Sequence, residues 1–295
     1  MTNTLGKKLK SIRESLGMSQ RQASKGICAQ AYISKIENGD IHPSAEILRM
    51  LSERYNTDIS FLLDISNTPR HDYIIEVFSQ IREAVYQRDY ALIKEIIDKE
   101  ISNKQFSKPK HMQFLIWHRG ICAYYEDKDI EKALQFLEEA LHLTLSPTKM
   151  YFSEREIEIM ISKGNIYTDC QDYPAGLTIF KDALNHFRSL PNITNKYLPV
   201  RLFYNYARAL RYSKEYTLSL KICDEGIQST KINKLLYLRG DLYFQKGINY
   251  KALNDITQAI ENFELAEMVY TIESNTSSLE LAQEMLDTLK KTEMV

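Results

Sequence analysis

Apolar residues recur at helical spacing along almost the whole chain. Leu5, Leu9, Ile12 and Leu16 form the first stripe, which Gly17 ends. Ser19 is placed to cap a second helix over Gln20–Gly26, and Ile27-Cys28-Ala29 makes a short turn. A third helix is predicted from Gln30 to Glu37, stopped by Asn38-Gly39. His42-Pro43-Ser44 opens a fourth, with Ile47, Leu48 and Leu51 on one face. Ile59, Phe61, Leu62 and Leu63 supply a fifth apolar segment that closes a small core. Ser66-Asn67-Thr68-Pro69-Arg70-His71 is a polar break with a proline and reads as a linker.

Beyond the break one pattern recurs. Its first set is Trp117, Tyr124, Ala133, Leu137 and Ala140; its second is Met160, Gly164, Tyr167, Gly176, Phe180 and Ala183. Phe203, Ala207, Leu210, Ser219, Cys223 and Gly226 form a third, and Tyr243, Gly247, Tyr250, Ala259, Phe263 and Ala266 a fourth. The closing small residue falls at 140, 183, 226 and 266, in steps of 43, 43 and 40. Small and large residues at fixed offsets let paired helices approach closely and interlock. Residues 72–101 are predicted to add a degenerate pair, and Leu279–Lys291 a closing helix. The expected fold is all-α. A helix-turn-helix head occupies residues 1–65 and a linker residues 66–71. Residues 72–295 form a superhelix of about five helix pairs with a capping helix and a concave groove.

Composition agrees: only 10 Gly and 7 Pro in 295 residues argue against a turn-rich β architecture. Charge adds an asymmetry. Met1–Glu37 carries seven Lys/Arg against Glu14 and Glu37, a balance of +5, so the remainder carries −6 to give the overall −1. A basic head on an acidic body suggests that the head meets a polyanion. No apolar run approaches a membrane span and none follows the basic N-terminus, so a cytoplasmic protein is expected. The four cysteines lie far apart with no CxxC pair, and neither metal nor cofactor is expected. The six histidines are scattered, with no HExxH, GxSxG or P-loop string, so no enzyme is expected.

Two short helices joined by a tight turn in a basic unit have helix-turn-helix geometry. Gln30, Ala31, Tyr32, Ser34 and Lys35 face outward on the third helix, while Ile33 and Ile36 face the core. Gln pairs with adenine, Lys donates to guanine, and Ala packs on a thymine methyl. Gln20 opens the second helix, where an amide and a helix N-terminus grip a phosphate. One such head covers one half-site, so a homodimer on a palindromic double-stranded operator is expected.

These residues resemble the lambda-repressor-like (Xre) helix-turn-helix family. The resemblance rests on Ser19-Gln20-Arg21-Gln22-Ala23, Tyr32-Ile33-Ser34-Lys35-Ile36-Glu37-Asn38-Gly39 and Pro43-Ser44. It implies that Gln30, Ala31 and Lys35 face base edges, that Gln20 and Asn38 hold phosphates, and that Glu37 is structural. Together with Arg21, Tyr32 and Ser34 these form the candidate DNA-binding set.

The body resembles tetratricopeptide repeats, whose first helices line the groove. Flanking the core positions there are His118, Cys122, Asn165, Arg201, Tyr204, Asn205, Arg208, Arg211 and Gln245. Asn pairs with both N–H and C=O of an extended peptide, and Arg holds a carboxylate with two bonds. Three Arg within eleven residues of one helix point to an acidic or C-terminal-carboxylate peptide. Head and body together resemble the RNPP group of Gram-positive quorum-sensing regulators, and its PlcR-type activators in particular. This implies a short signalling peptide in the groove, held by Asn205, with Arg88 as a basic groove residue. A regulator controlled by a small metabolite or by thiol redox state is the alternative, with His118 and Cys122 as a thiol–imidazole pair at i, i+4.

Overall fold

The computed structural model describes residues 4–59, 62, 71–146, 149 and 151–293. Fifteen helices make up its regular structure besides one 3-10 turn, and no strand occurs among the described residues. The chain divides into two compact units, Met1–Met112 and Gln113–Val295.

The first unit opens with α1 (Thr4–Ser15), α2 (Gln20–Ser24), α3 (Gln30–Asn38) and α4 (Ala45–Arg54). Leu5 and Leu9 of α1 pack on Ala23, Ile33, Ile36, Leu48, Leu51, Tyr55 and Leu62 in one closed core. Ser19 and Gln22 form a reciprocal capping box that starts α2. That helix stops at Ser24, short of the expected Gly26, because Gly26 takes a left-handed turn at φ 76°. Gly39, at φ 90°, donates its N–H back to Ile36 and ends α3. Leu16 departs from the expected stripe. The helix ends at Ser15 and Leu16 is 46% exposed, since Gly17 at φ 66° turns the chain away from the core. Phe61, Leu63 and residues 66–70 of the expected linker lie outside the described residues.

The expected extra pair is present as α5 (His71–Gln87) and α6 (Tyr90–Glu100), with Ile74, Ile81, Ile93 and Ile97 buried. A 3-10 turn at Lys104–Phe106 then inserts Phe106, fully buried, between the rings of Tyr73 and Phe78.

The repeats continue as α7 (Pro109–Tyr125) with α8 (Ile130–His142), and α9 (Glu154–Asp169) with α10 (Tyr173–Arg188). Next come α11 (Leu198–Tyr212) with α12 (Tyr216–Ile232), α13 (Arg239–Ala252) with α14 (Ile256–Ile272), and the closing α15 (Thr276–Glu293). The small residues sit where the paired helices touch: Ala140, Ala183 and Ala266 are fully buried. A Cβ on Gly164 would lie 2.8 Å from the ring of Phe180, itself without exposed surface. Gly164→Ala is therefore expected to destabilise the repeat unit by about 1–3 kcal/mol, read as a lower denaturant midpoint at unchanged slope.

One device closes each tight turn. A residue in the left-handed region is followed by an acid that begins the next helix. The turns are Arg88-Asp89, Lys128-Asp129, Gln171-Asp172, Lys214-Glu215 and Asn254-Asp255. The carboxylates of Asp89, Asp129, Asp172 and Asp255 accept the N–H three residues on. Every pair thus turns alike, and successive first helices lie side by side, α9 against α11 and α11 against α13.

Candidate functional site

The outward residues of α3 divide as its periodicity predicts. Gln30, Ala31, Lys35 and Asn38 are exposed, Tyr32 and Ser34 half-buried, and Ile33 and Ile36 buried. Beneath that face lies a polar chain. Arg13 of α1 donates from Nε and Nη2 to the two carboxylate oxygens of Glu37, at 2.6 and 2.9 Å, and from Nη1 to the Met18 carbonyl at 2.7 Å. Gln20 Nε2 donates to Glu37 at 2.9 Å, and Gln30 Nε2 to Gln20 Oε1 at 2.6 Å. Burial pushes the Glu37 carboxyl up, but the bonds from Arg13 and Gln20 outweigh it and hold the group below its ordinary value. Gln20, expected to hold a phosphate, donates to Glu37 and accepts from Gln30 across a surface-exposed bond. It links Gln30 at the start of α3 to Glu37 near its end. Arg21 is exposed on α2.

In the second unit, Gly120, Gly164, Ala207 and Gly247 give the first helices a common register. Six residues before each small residue stand Phe114, Glu158, Arg201 and Asp241; one residue after it stand Ile121, Asn165, Arg208 and Ile248. These rows meet across neighbouring helices. Arg201 of α11 is bonded to Glu158 of α9. Arg208 reaches Asp169 at 3.0 Å and Asn165 at 3.3 Å, and the single Trp117 donates to Ser162 at 3.0 Å. Asn205 donates to the Arg201 carbonyl at 2.8 Å. Arg211 lies 4.2 Å over the ring of Tyr212. Burial pushes Asp169 up while Arg208 draws it down, and burial raises the hydroxyl of Tyr204. The Nε of Arg201, Arg208 and Arg211 are all buried with no acceptor among the described residues.

Several expected groove residues fall elsewhere. His118 is 3% exposed, clasped between Phe114 and Trp117 at ring separations of 4.1 and 4.4 Å, with Nδ1 2.8 Å from the Phe114 carbonyl. Cys122, one turn on, is 1% exposed. This part of α7 is covered on all sides, Gln113 to His118 all being buried, so no wet stripe carries the pair. Gln245 is also buried, its Nε2 3.5 Å from the Tyr204 carbonyl, where it joins α13 to α11. Arg88 occupies the left-handed position of the α5–α6 turn in the first unit, at φ 59°, and its place there is explained by the turn. Arg88→Gly is expected to raise stability by about 0.5–1 kcal/mol and to leave ligand affinity unchanged, by thermal melts and calorimetry.

Sequence reading missed the acids opposite the arginines, Glu158 and Asp169, and it missed Asp241. Counting six residues back from Gly164, Ala207 and Gly247 would have aligned Glu158, Arg201 and Asp241 as one row.

Fold and faces together define a helix-turn-helix head joined to a helical-repeat body. The family model for the RNPP family C-terminal domain matches residues 78–289, and a helix-turn-helix model matches residues 9–62. The chain belongs to the RNPP family. It is 23% identical over 256 residues to the transcriptional activator NprA of Geobacillus stearothermophilus, covering 86% of this chain and 60% of NprA. The chain thus spans about 60% of the length of that relative. Among solved structures it matches PlcR of Bacillus thuringiensis in complex with the peptide PapR7 and DNA. That match has a TM-score of 0.83 and 25% identity, over 95% of this chain and 99% of PlcR. ComR from S. thermophilus, in complex with DNA and its signalling peptide ComS, matches with a TM-score of 0.66 and 16% identity, over 97% and 99% of the two chains.

Proposed function

We infer that this protein is a cytoplasmic, dimeric transcriptional activator of PlcR-like type. Its head, residues 1–65, reads a palindromic operator. Its body, residues 72–295, carries the dimer contact and binds a short signalling peptide on the face shared by α9, α11 and α13. The observation that carries this reading is one chain bearing two separate recognition faces. One is an α3 whose exposed Gln30, Ala31 and Lys35 stand on a locked polar base. The other is a row of Arg, Asn and Tyr on α11 whose Arg Nε donors have no acceptor among the described residues. A buried donor left unbonded costs about 1–3 kcal/mol, so an arriving carbonyl or carboxylate that turns a guanidinium recovers part of that cost. The names of NprA, and of PlcR and ComR with their peptides and DNA, support the same reading.

The ligand acts by preferring one dimer geometry. Moving a two-state equilibrium from mostly off to mostly on requires about 5.5 kcal/mol of differential affinity. Thiol control is the weaker reading. A sensing cysteine needs an accessible, acidified thiol. Cys170 is exposed, but partial desolvation and the Asp169 carboxylate raise its thiol; burial raises Cys28 and pushes Cys223 up to about 12, and Cys122 is covered. The test is selection of bound duplexes from a random library by the full-length chain. An inverted repeat with half-sites a whole number of helical turns apart is expected; an unspaced or sequence-independent yield would overturn the reading.

A further inference from the structure

The charges in the row Glu158, Arg201, Asp241 alternate across α9, α11 and α13, and they do not balance. Arg201 pairs with Glu158, not with Asp241. Asp241 is half-buried, and the Tyr270 hydroxyl donates to its Oδ1 at 3.4 Å. The titratable groups that act on it are Tyr204 of α11, Tyr237 just before α13, Tyr270 of α14 and Glu273 just after that helix. These are three phenols and a second acid; Arg208 and Arg211 act on Tyr204, Arg201 on Tyr237 and Arg239 on Glu273, but no cation pairs with the Asp241 carboxylate among the described residues. Arg239, two residues away, donates its Nε to Thr230 at 2.9 Å. Burial accordingly raises Asp241 above its ordinary value.

The position is also held firmly. A Cβ on the preceding Gly240 would lie 2.6 Å from the Tyr270 ring, so the start of α13 is pressed onto that ring. Gln245, one turn beyond Asp241, ties α13 to the Tyr204 carbonyl. A carboxylate that holds one phenol hydroxyl and acts on two more phenols suits a compact cation, which a carboxylate attracts by charge and an aromatic face by its quadrupole.

We propose that Asp241, with Tyr204 and Tyr237 beside it, is the subsite that takes a primary ammonium of the ligand. The ammonium is either the free N-terminus of the peptide or a lysine side chain. The Arg-lined stretch of α11 then takes acceptors elsewhere along the same ligand. This rests on the reading of the shared face as a peptide site, and it adds a cationic end to the expected acidic or C-terminal-carboxylate peptide: Arg201 and Arg208 already hold acids, and Asp241 has no cation paired with it among the described residues.

The test is affinity selection by the full-length chain from three matched synthetic libraries of random short peptides. One is lysine-free with free N-termini, one lysine-free and N-acetylated, and one N-acetylated but containing lysine. Wild-type protein is expected to retain ammonium-bearing peptides about tenfold or more over the lysine-free acetylated set. The arm that is retained identifies the source of the ammonium. Asp241→Asn, nearly isosteric, is expected to lose this preference, and Glu280→Gln, an exposed acid on α15 away from the shared face, to keep it. Equal retention of all three libraries by wild type, or a preference that survives in Asp241→Asn, overturns the proposal while leaving the peptide site standing. Retention of no peptide from any library overturns the peptide site and the proposal with it. Circular dichroism melts of both variants separate a lost preference from a lost fold, and Asp241→Glu is expected to restore the preference in part.

Discussion

Glu37→Ala is expected to destabilise the N-terminal head by about 3–5 kcal/mol, the usual cost of removing one partner from a buried ion pair. The side chains of Arg13 and Glu37 are only 9% and 1% exposed. Without the carboxylate, the Arg13 guanidinium keeps the Met18 carbonyl and a long contact of 3.4 Å to Glu14. Gln20 loses the acceptor that orients it toward Gln30. In the full-length chain, amide exchange in α1–α3 is expected to accelerate by roughly 10²–10⁴-fold, with the repeats unaffected. Arg13→Met combined with Glu37→Met is expected to restore much of the loss, because no buried charge then remains unpaired. The same pair makes the head acid-sensitive. The folded Glu37 carboxyl lies below the ordinary 4.5, so the unfolded chain takes up this proton first as the pH falls. Its stabilisation is complete above 4.5 and is lost as the pH drops through the lower native value. Unchanged exchange in Glu37→Ala would show that the polar chain does not hold the head together.

The second large effect concerns DNA. Replacing Gln30 and Lys35 together by Ala is expected to cost about 2–6 kcal/mol of specific binding, at about 1–3 kcal/mol for each base contact. On a selected operator this appears as loss of the specific complex in a footprint. Both residues are exposed and Ala favours helix, so the head stays folded. Arg21→Ala, on α2, is expected to weaken operator and random duplexes alike and to reduce the salt slope by about 1. A footprint unchanged by the double substitution would remove α3 as the reading element.

What could be read from the chain followed local periodicity. Ile33 and Ile36 face inward while Gln30, Ala31 and Lys35 face outward, because a helix of nine residues with two branched apolar positions has one way to bury them. Ala140, Ala183, Gly226 and Ala266 mark helix contacts because only small residues let backbones approach there. What escaped depends on neighbours distant in sequence. Arg13 and Glu37 are 24 residues apart, and Glu158 and Arg201 are 43 apart, so neither pair shows as a local pattern. His118 and Cys122 do share a face, but spacing alone does not tell whether that face is wet. The resemblance alone places Arg88 in the groove, and its left-handed backbone accounts for its position without a ligand. The repeated acid after each such residue, at Asp89, Asp129, Asp172, Glu215 and Asp255, was the sequence signal for that turn.

The central claim is that one chain couples a peptide face to a DNA face. The direct measurement is the affinity of the full-length chain for its selected operator, with and without a peptide recovered from the free-terminus library. It is made on wild type and on a chain with Asn205→Ala and Arg208→Ala. The expected result is tighter operator binding with peptide in wild type, and operator binding that ignores peptide in the double variant. Operator affinity in wild type that is the same with and without a bound peptide would contradict the account.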